Sequence, residues 1–371
     1  MLYKEYGKTG KKISVVSFGG MRFSNPQDID ANAQVVLHAY RRGINYFDTA
    51  PEYCKDHSED IFGAAIRRMD RKRIYISTKC ADADGGKLRK SLERSLKRLN
   101  VQWIDFFHIW CIVHPHQWLE RKKGGAVAAA LKAKDEGLIR HLAVSSHLSG
   151  KDLRDLLAEG IFEGVTLGYC VLNFPYRQQA VDAAGRRRLG VMTMNPLGGG
   201  LIPRHAKRFD FIRASSDESV VAAAIRFNIS QPAVTSALVG FKTTQHVDEA
   251  VAAVENLPKK PYPPAHLKAM RQKIVAAFND FCTGCGYCLP CPAGVDTPRM
   301  MDTYNFRLLG ADDQQLTNRL KWHWDLKPAD ALACTLCGAC EERCTQHLPI
   351  RKRMRELQAL AKGKAPRTAG G

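Results

Sequence analysis

Eight cysteines fall within 63 residues, Cys282 to Cys344, in two tightly spaced runs. Cys282, Cys285, Cys288 and Cys291 read CxxCxxCxxCP, and Cys334, Cys337, Cys340 and Cys344 read CxxCxxCxxxC. In a reducing compartment such spacing means metal rather than disulfides. Zinc takes CxxC pairs, so two pairs make one tetrahedral site. Three cysteines at successive two-residue gaps fit a cubane better, because three close thiolates wrap one face and a distant fourth closes it. Two 4Fe-4S clusters are therefore expected. In two-cluster ferredoxins the fourth cysteine of each run crosses to the other cluster. That pairs Cys282, Cys285 and Cys288 with Cys344, and Cys334, Cys337 and Cys340 with Cys291. The first run has two residues before its last cysteine where three are common, and Thr345 replaces the usual proline after the second. Neither change removes a ligand.

A second set of reactive groups lies in INYFDTAPEYC, Ile44 to Cys54, where Asp48 and Tyr53 stand five residues apart. An apolar run leads into Asp48, and Thr49, Ala50 and Pro51 break the strand before Tyr53. A carboxylate and a phenol at a strand end suit acid/base chemistry, but surface loops carry the same residues without any.

The elements that must position these groups repeat along the chain. Short apolar runs near Ile13 to Phe18, Ile44 to Asp48, Ile74 to Lys79, Ile104 to Ile112, His141 to Ser145, Val165 to Tyr169, Val191 to Asn195 and Ser236 to Val239 read as strands. Between them lie stretches with apolar residues at helical spacing, as with Leu88, Leu92, Leu96 and Leu99. Asp217 and Thr244 sit where helix caps belong. Eight strands alternating with eight helices is the arithmetic of a (β/α)8 TIM barrel, an α/β fold. The segment from Leu2 to Ser14 is expected to form a hairpin closing the barrel bottom. Its GKTGKK lacks the phosphate-loop spacing, and no GxGxxG follows the first strand. After the proline-rich LPKKPYPP, helices are expected over Ala265 to Phe281, Arg299 to Leu309, Gln314 to Trp324 and beyond Pro349. Helical character between the cysteine runs favours a small α-helical ferredoxin-like domain.

The chain has 371 residues, 45% of them hydrophobic and 25% charged, with a formal charge of +19. No apolar run approaches the roughly eighteen residues of a membrane span. The opening residues lack the charged start, apolar block and cleavage site of a secretory signal, so a cytoplasmic location is expected. Thiolate-ligated clusters would remove about four of the positive charges. The remaining basic residues are spread along the chain, and nucleic-acid binding is not expected.

INYFDTAPEYC, ISTKC, GLIRHLAVSSH, the NPLGGG loop and LVGFKTTQHVDEAV resemble the aldo-keto reductase family, and CTGCGYCLPCPAGVDTP with the second cysteine run resembles its ferredoxin-fused branch. The resemblance implies an aldo-keto reductase-like barrel over 1–257, a linker over 258–264, an α-helical ferredoxin-like domain with two clusters over 265–358 and a flexible basic tail over 359–371. It also implies an oxidoreductase that binds NADPH or NADH at the strand C-termini and reduces a small organic substrate of carbonyl type through an Asp, Tyr, Lys, His tetrad. Asp48, Tyr53 and Lys79 match three members. A phenol with a pKa near 10 is a poor acid until a nearby ammonium stabilises its phenolate, and Asp48 can hold that ammonium in place. Trp110 stands at the histidine position. His108, two residues earlier, reads either as a hydrogen-bonded core histidine or as a group reaching the pocket from deeper in the barrel. His114, His116 and His147 are loop alternatives.

Ser145, Ser146 and Asn173 fall where the family grips the carboxamide, with Tyr169 in place of a glutamine and Met194 in place of the stacking aromatic. Gly240, Lys242 and Thr243 fit its phosphate segment, and Ala250 replaces an asparagine near the adenine. A flavin is compatible with the chain, but nothing in it indicates one. Cys80, Cys111 and Cys170 are expected to pack outward against helices. Arg186 to Arg188 and Arg351 to Arg353 read as solvated faces or as a docking surface for an acidic redox partner such as ferredoxin or flavodoxin. The alternative function is an electron-transfer module whose barrel has little catalysis of its own.

Overall fold

The computed structural model describes residues 1–148, 150–171, 174–255, 263, 265, 268, 269, 272, 280–282, 284, 286–308, 310–324 and 326–363. The chain divides into two compact units, Met1–Val275 and Ala276–Gly371.

In the first unit, strands β3 (Val16–Gly19), β4 (Tyr46–Asp48), β5 (Tyr75–Cys80), β6 (Ile104–Ile112), β7 (Ile139–Ser146), β8 (Gly164–Gly168), β9 (Gly190–Met194) and β10 (Ser236–Val239) form a closed parallel barrel. Helices follow the strands as the apolar spacing requires. Gly85–Leu99 shows why: the Asp84 carboxylate caps its first turn through the Lys87 amide at 2.7 Å, Leu88, Leu92 and Leu99 are buried, and Asn100 ends it in the left-handed region. The expected caps at Asp217 and Thr244 are displaced. Ser219 caps Val220–Ile229 through Ala222, and the Thr243 hydroxyl accepts from His246 at 3.3 Å.

The run from Ile13 to Phe18 is two strands rather than one. Lys12–Ser14 (β2) turns back to pair with Tyr3–Glu5 (β1), and only Val16–Gly19 enters the barrel. Asn45 fixes the break by accepting from the Ser14 amide at 2.8 Å. The hairpin delivers Tyr6, fully buried, against Tyr46 and Phe106 near the strand N-termini. A side chain at Gly164 or Gly190 would fall on the Tyr6 ring, so these two positions must be glycine for the plug to seat.

The barrel interior is therefore aromatic at the N-terminal end and polar toward the C-terminal end. Strand registers place Asp48 beside Ser77, and Lys79 beside His108. The segment after β6 carries a further helix, Pro115–Lys123, for which the sequence shows no apolar period.

The second unit contains Thr297–Leu308, Asp313–Arg319 and Ile350–Ala361, packed around Met300, Met301, Leu320, Leu348 and Met354. Most of the segment expected to form the helix from Ala265 to Phe281, and much of the proline-rich linker, lies outside the described residues. Among the described residues no helix is long and apolar enough to cross a membrane.

Placing a methyl group against the Tyr6 ring should cost about 1–3 kcal/mol in Gly190→Ala. The buried Tyr6 hydroxyl has no hydrogen-bond partner among the described residues. Tyr6→Phe is expected to be neutral or stabilising. Urea denaturation of both variants checks the plug.

Candidate active site

Asp48 and Lys79 end adjacent strands and form a buried ion pair, with Lys79 Nζ 2.6 Å from each carboxylate oxygen. Two charges removed from water survive only if their remaining hydrogen-bonding capacity is met. Ser77 Oγ donates to Asp48 Oδ1 at 2.7 Å and lies 3.2 Å from His108 Nδ1; His108 Nε2 is 2.9 Å from Thr166 Oγ1. Ser77 spends its one proton on Asp48, so it accepts from His108 Nδ1, and Nε2 accepts from Thr166. A chain of hydrogen bonds thus runs Thr166, His108, Ser77, Asp48, Lys79.

His108 is completely buried, and burial together with the Lys79 charge holds it well below the ordinary imidazole pKa. Its ring lies between Ser77 and Thr166 in the barrel interior and touches the ion pair only through Ser77, the placement of a hydrogen-bonded core histidine. Burial also pulls the Lys79 ammonium below its ordinary value, against the opposing pull of Asp48.

Tyr53 follows in a loop with unusual backbone. Glu52, Cys54, Lys55 and Asp56 all have positive φ, 69°, 56°, 55° and 68°. Such residues cost on the order of 1–2 kcal/mol each unless their surroundings compensate. Asp56 supplies compensation by accepting from the Glu52 amide at 3.1 Å and from Arg98 Nη1 at 2.6 Å, and Arg98 also holds Asp60. The loop seats the Tyr53 ring with its centroid 5.3 Å from Lys79 Nζ, within cation–π range.

Trp110 meets Tyr53 edge-on, with centroids 5.5 Å apart and planes at 81°. The indole N–H is buried with no hydrogen-bond partner among the described residues. Pairing of β6 with β7 shifts register between Ile109 and Ile112, and Cys111 has φ 60°. This bulge turns Trp110 over the site and leaves Cys111 partly buried; Cys80 and Cys170 are buried. A cavity beside the pair is lined by Pro51, Glu52, Lys79, Ser91, Arg94 and Trp110 among others.

The nicotinamide positions are unevenly suited. Ser145 and Ser146 are both buried at the end of β7. The Ser146 hydroxyl is engaged in a turn, donating to the Ile112 carbonyl and accepting from the Leu148 amide, each at 3.1 Å. Asn173 lies outside the described residues. Tyr169 is buried, stacks on Phe227 and donates to Gln178 at 2.6 Å. Gly240 is closely covered by the Arg22 side chain, and Lys242 and Thr243 are exposed just before the helix Thr244–Glu255. Its N-terminal amides suit a phosphate. Ala250 faces inward and is buried. His147 is buried, and the His114 and His116 rings stack on each other at 5.6 Å.

In the second unit two small pockets are lined by thiols of both runs. Cys291 shares one with Cys334, Cys337 and Cys340; Cys282 and Cys288 share the other with Cys344. Cys285 lies outside the described residues. Backbone amides point at the sulfurs, Gly284 to Cys282, Leu336 to Cys334 and Leu348 to Cys344, each at 3.4 Å. Such donors stabilise thiolate charge. The first pocket gathers four thiols, the donor number a 4Fe-4S cluster takes, and the second gathers three among the described residues.

Residues 15–271 match the model of the aldo/keto reductase family. The chain belongs to that family. Residues 281–348 of this aldo/keto reductase match a 4Fe-4S dicluster domain, so it is an oxidoreductase with an iron–sulfur domain. L-galactose dehydrogenase of Arabidopsis thaliana is 27% identical over 283 residues, covering 68% of this chain and 87% of that protein. The NADH-specific methylglyoxal reductase of Escherichia coli is 24% identical over 205 residues, covering 50% and 62%. A holo-form aldo-keto reductase structure from Bacillus halodurans superposes with a TM-score of 0.64 at 19% identity, covering 74% of this chain and 96% of that one. This last likeness speaks for the fold alone.

Sequence reasoning missed Ser77, Thr166 and Arg98. The only signal for the first two is their inward place on strands beside His108. Lys79→Met strands a buried carboxylate and should cost about 3–5 kcal/mol. Adding Asp48→Asn should recover much of that loss, and chemical denaturation of the single and double variants measures both.

Proposed function

We propose that this aldo/keto reductase reduces a small carbonyl compound, with Tyr53 as the general acid. The observation that carries the reading is the buried Asp48–Lys79 pair beside the Tyr53 ring. An ammonium held there favours the phenolate that Tyr53 becomes after giving its proton to the carbonyl oxygen. Asp48 fixes the ammonium, and the hydrogen-bond chain through Ser77 and His108 fixes Asp48. Trp110 occupies the wall where a polar partner for the carbonyl would stand, and its free N–H can take that oxygen as acceptor.

When bound, a nicotinamide supplies hydride, and two 4Fe-4S clusters supply single electrons. Gly240, Lys242 and Thr243 would hold the phosphates of NADPH or NADH, and Ser145 is the hydroxyl left for the carboxamide. The eight cysteines would hold the clusters in the crossed pairing, Cys344 with the first run and Cys291 with the second. The domain boundaries we propose are a barrel ending at 257 and a cluster domain beginning at 265.

A second reading makes the barrel a scaffold for electron transfer to an acidic redox partner. It is favoured by the engaged Ser146 hydroxyl, which weakens the nicotinamide site.

Anaerobically purified protein should contain about eight irons per chain. Titration with NADPH and NADH should quench nicotinamide fluorescence and bleach the clusters; binding of neither favours the second reading. With methylglyoxal as test carbonyl, Tyr53→Phe should lower turnover by about 10²–10⁴-fold at unchanged iron content. Full activity of that variant would remove Tyr53 from the acid role.

A further inference from the structure

Among the described thiols of the two runs, Cys337 alone is exposed; Cys288 and Cys344 are buried, and Cys282, Cys291, Cys334 and Cys340 are partly buried. Cys337 lines the pocket it shares with Cys291, Cys334 and Cys340. The residues leading to it stand in the open as well. Leu332, Ala333 and Thr335 are exposed, and Leu332 is a large apolar side chain at 44%. A cluster held by these four thiols therefore meets solvent at one thiolate beside an apolar rim. Ile350 lines this pocket and also the pocket of Cys282, Cys288 and Cys344, so the two are neighbours. The first holds the exposed thiol.

The helix Ile350–Ala361 runs beside that thiol. Its buried face is Ile350, Arg353, Met354 and Leu357, so Arg353 is no part of a solvated basic face, contrary to the reading of Arg351 to Arg353 from sequence. The opposite face is basic. Arg351, Lys352, Arg355 and Lys362 are all exposed and, at 3.6 residues per turn, fall within about 100° of one another around the axis. Lys352 and Arg355 form no ion pair among the described residues. Arg351 Nε donates to Glu341 Oε2 at 2.7 Å and lies 3.7 Å from where a side chain at Gly338 would begin, so this end of the stripe touches the turn after Cys337. Gln358 ties the same helix to the segment before Cys337, donating to the carbonyls of Ala331 and Cys334 at 3.1 and 2.9 Å. Opposing charge is sparse. Glu341 is taken up by Arg351, Glu342 is exposed, and Asp330 caps its own turn beside Lys327. The helix's one acidic residue, Glu356, is half-buried and accepts from Tyr304 Oη at 2.6 Å.

Resting on the cluster assignment common to both readings above, we propose that Cys337, Leu332 and the basic stripe form the docking face for an acidic one-electron carrier protein of ferredoxin type, which reduces the cluster held by Cys291, Cys334, Cys337 and Cys340. Electron transfer between proteins falls steeply with distance, so a carrier must come up against a thiolate at the surface, and Cys337 is the one that offers itself. Leu332 gives the approach an apolar contact from which water can leave. Basic side chains on one side of that contact attract an acidic partner, speed the encounter and orient it. Since Lys352 and Arg355 are unpaired in the free protein, docking breaks no ion pair of theirs. One electron leaves the reduced carrier, which is oxidised, and enters the cluster, which is reduced; no bond or proton changes.

The test mixes anaerobic full-length holoprotein with a pre-reduced plant-type 2Fe-2S ferredoxin in a stopped-flow instrument and follows cluster bleaching; calorimetry of the two oxidised proteins gives the affinity. Wild type should be reduced fast at low salt and progressively more slowly as salt rises. Lys352→Glu combined with Arg355→Glu should slow reduction by ferredoxin at low salt about tenfold or more and weaken the calorimetric affinity, at unchanged iron content. Reduced methyl viologen, a small cation, should reduce that variant no more slowly than wild type. If the double charge reversal loses iron, the milder pair Lys352→Gln and Arg355→Gln should keep it and show a smaller slowing in the same direction. A wild-type rate with ferredoxin in both variant pairs, equal slowing with methyl viologen, or a salt-independent wild type, each with about eight irons retained, would overturn the docking face. A wild-type iron count well below eight would instead overturn the two-cluster assignment.

Discussion

The barrel is arranged around the cost of keeping Asp48 and Lys79 out of water. Each buried ion carries a penalty of several kcal/mol unless its partner and its hydrogen bonds are in place. Here the two side chains meet at 2.6 Å, and Ser77 takes one remaining acceptor site of Asp48. That requirement propagates inward: Ser77 needs a donor, His108 provides one as a neutral ring, and Thr166 satisfies the other nitrogen. Below this layer Tyr6, Tyr46 and Phe106 seal the strand N-termini with aromatic carbon. Above it, the left-handed loop from Glu52 to Asp56 is clamped by Arg98 so that Tyr53 lies against the ammonium.

The second unit answers a different constraint, which is to present thiolates from two distant runs to two shared cavities. Local geometry does part of this. Left-handed residues at Gly284 and Leu336 aim their amides at Cys282 and Cys334, and Asn305 and Gln358 tie down the carbonyls of the same cysteines. Leu336 takes this conformation at φ 60° without being glycine, a strain the amide–sulfur contact offsets.

The fold was legible because its signals are periodic. All eight barrel strands and the hairpin follow from apolar runs and turn residues, and only the break at Val15 was hidden, since Ile13 and Val16 are equally apolar. Asp48, Tyr53 and Lys79 were recognisable from motif and chemistry. Position by alternation failed at β6, where His108 and Trp110 look equivalent: a bulge at Cys111 lifts Trp110 over the site while His108 stays in the core. Ser77 and Thr166 carry no motif and acquire meaning only from their strand register. Arg353 was misread because a basic run beside a proline resembles a solvated helix face. Its spacing of three residues from Ile350 and four from Leu357, both apolar, is the signal that would have corrected it.

The central claim is that Tyr53 and the Asp48–Lys79 pair act as one unit. A double-mutant cycle on kcat/KM for carbonyl reduction, with Tyr53→Phe and Asp48→Asn, tests it directly. The account predicts that the double variant is no slower than the slower single variant, because either change alone disables the same proton transfer. Losses that multiply would show two independent contributions and contradict it.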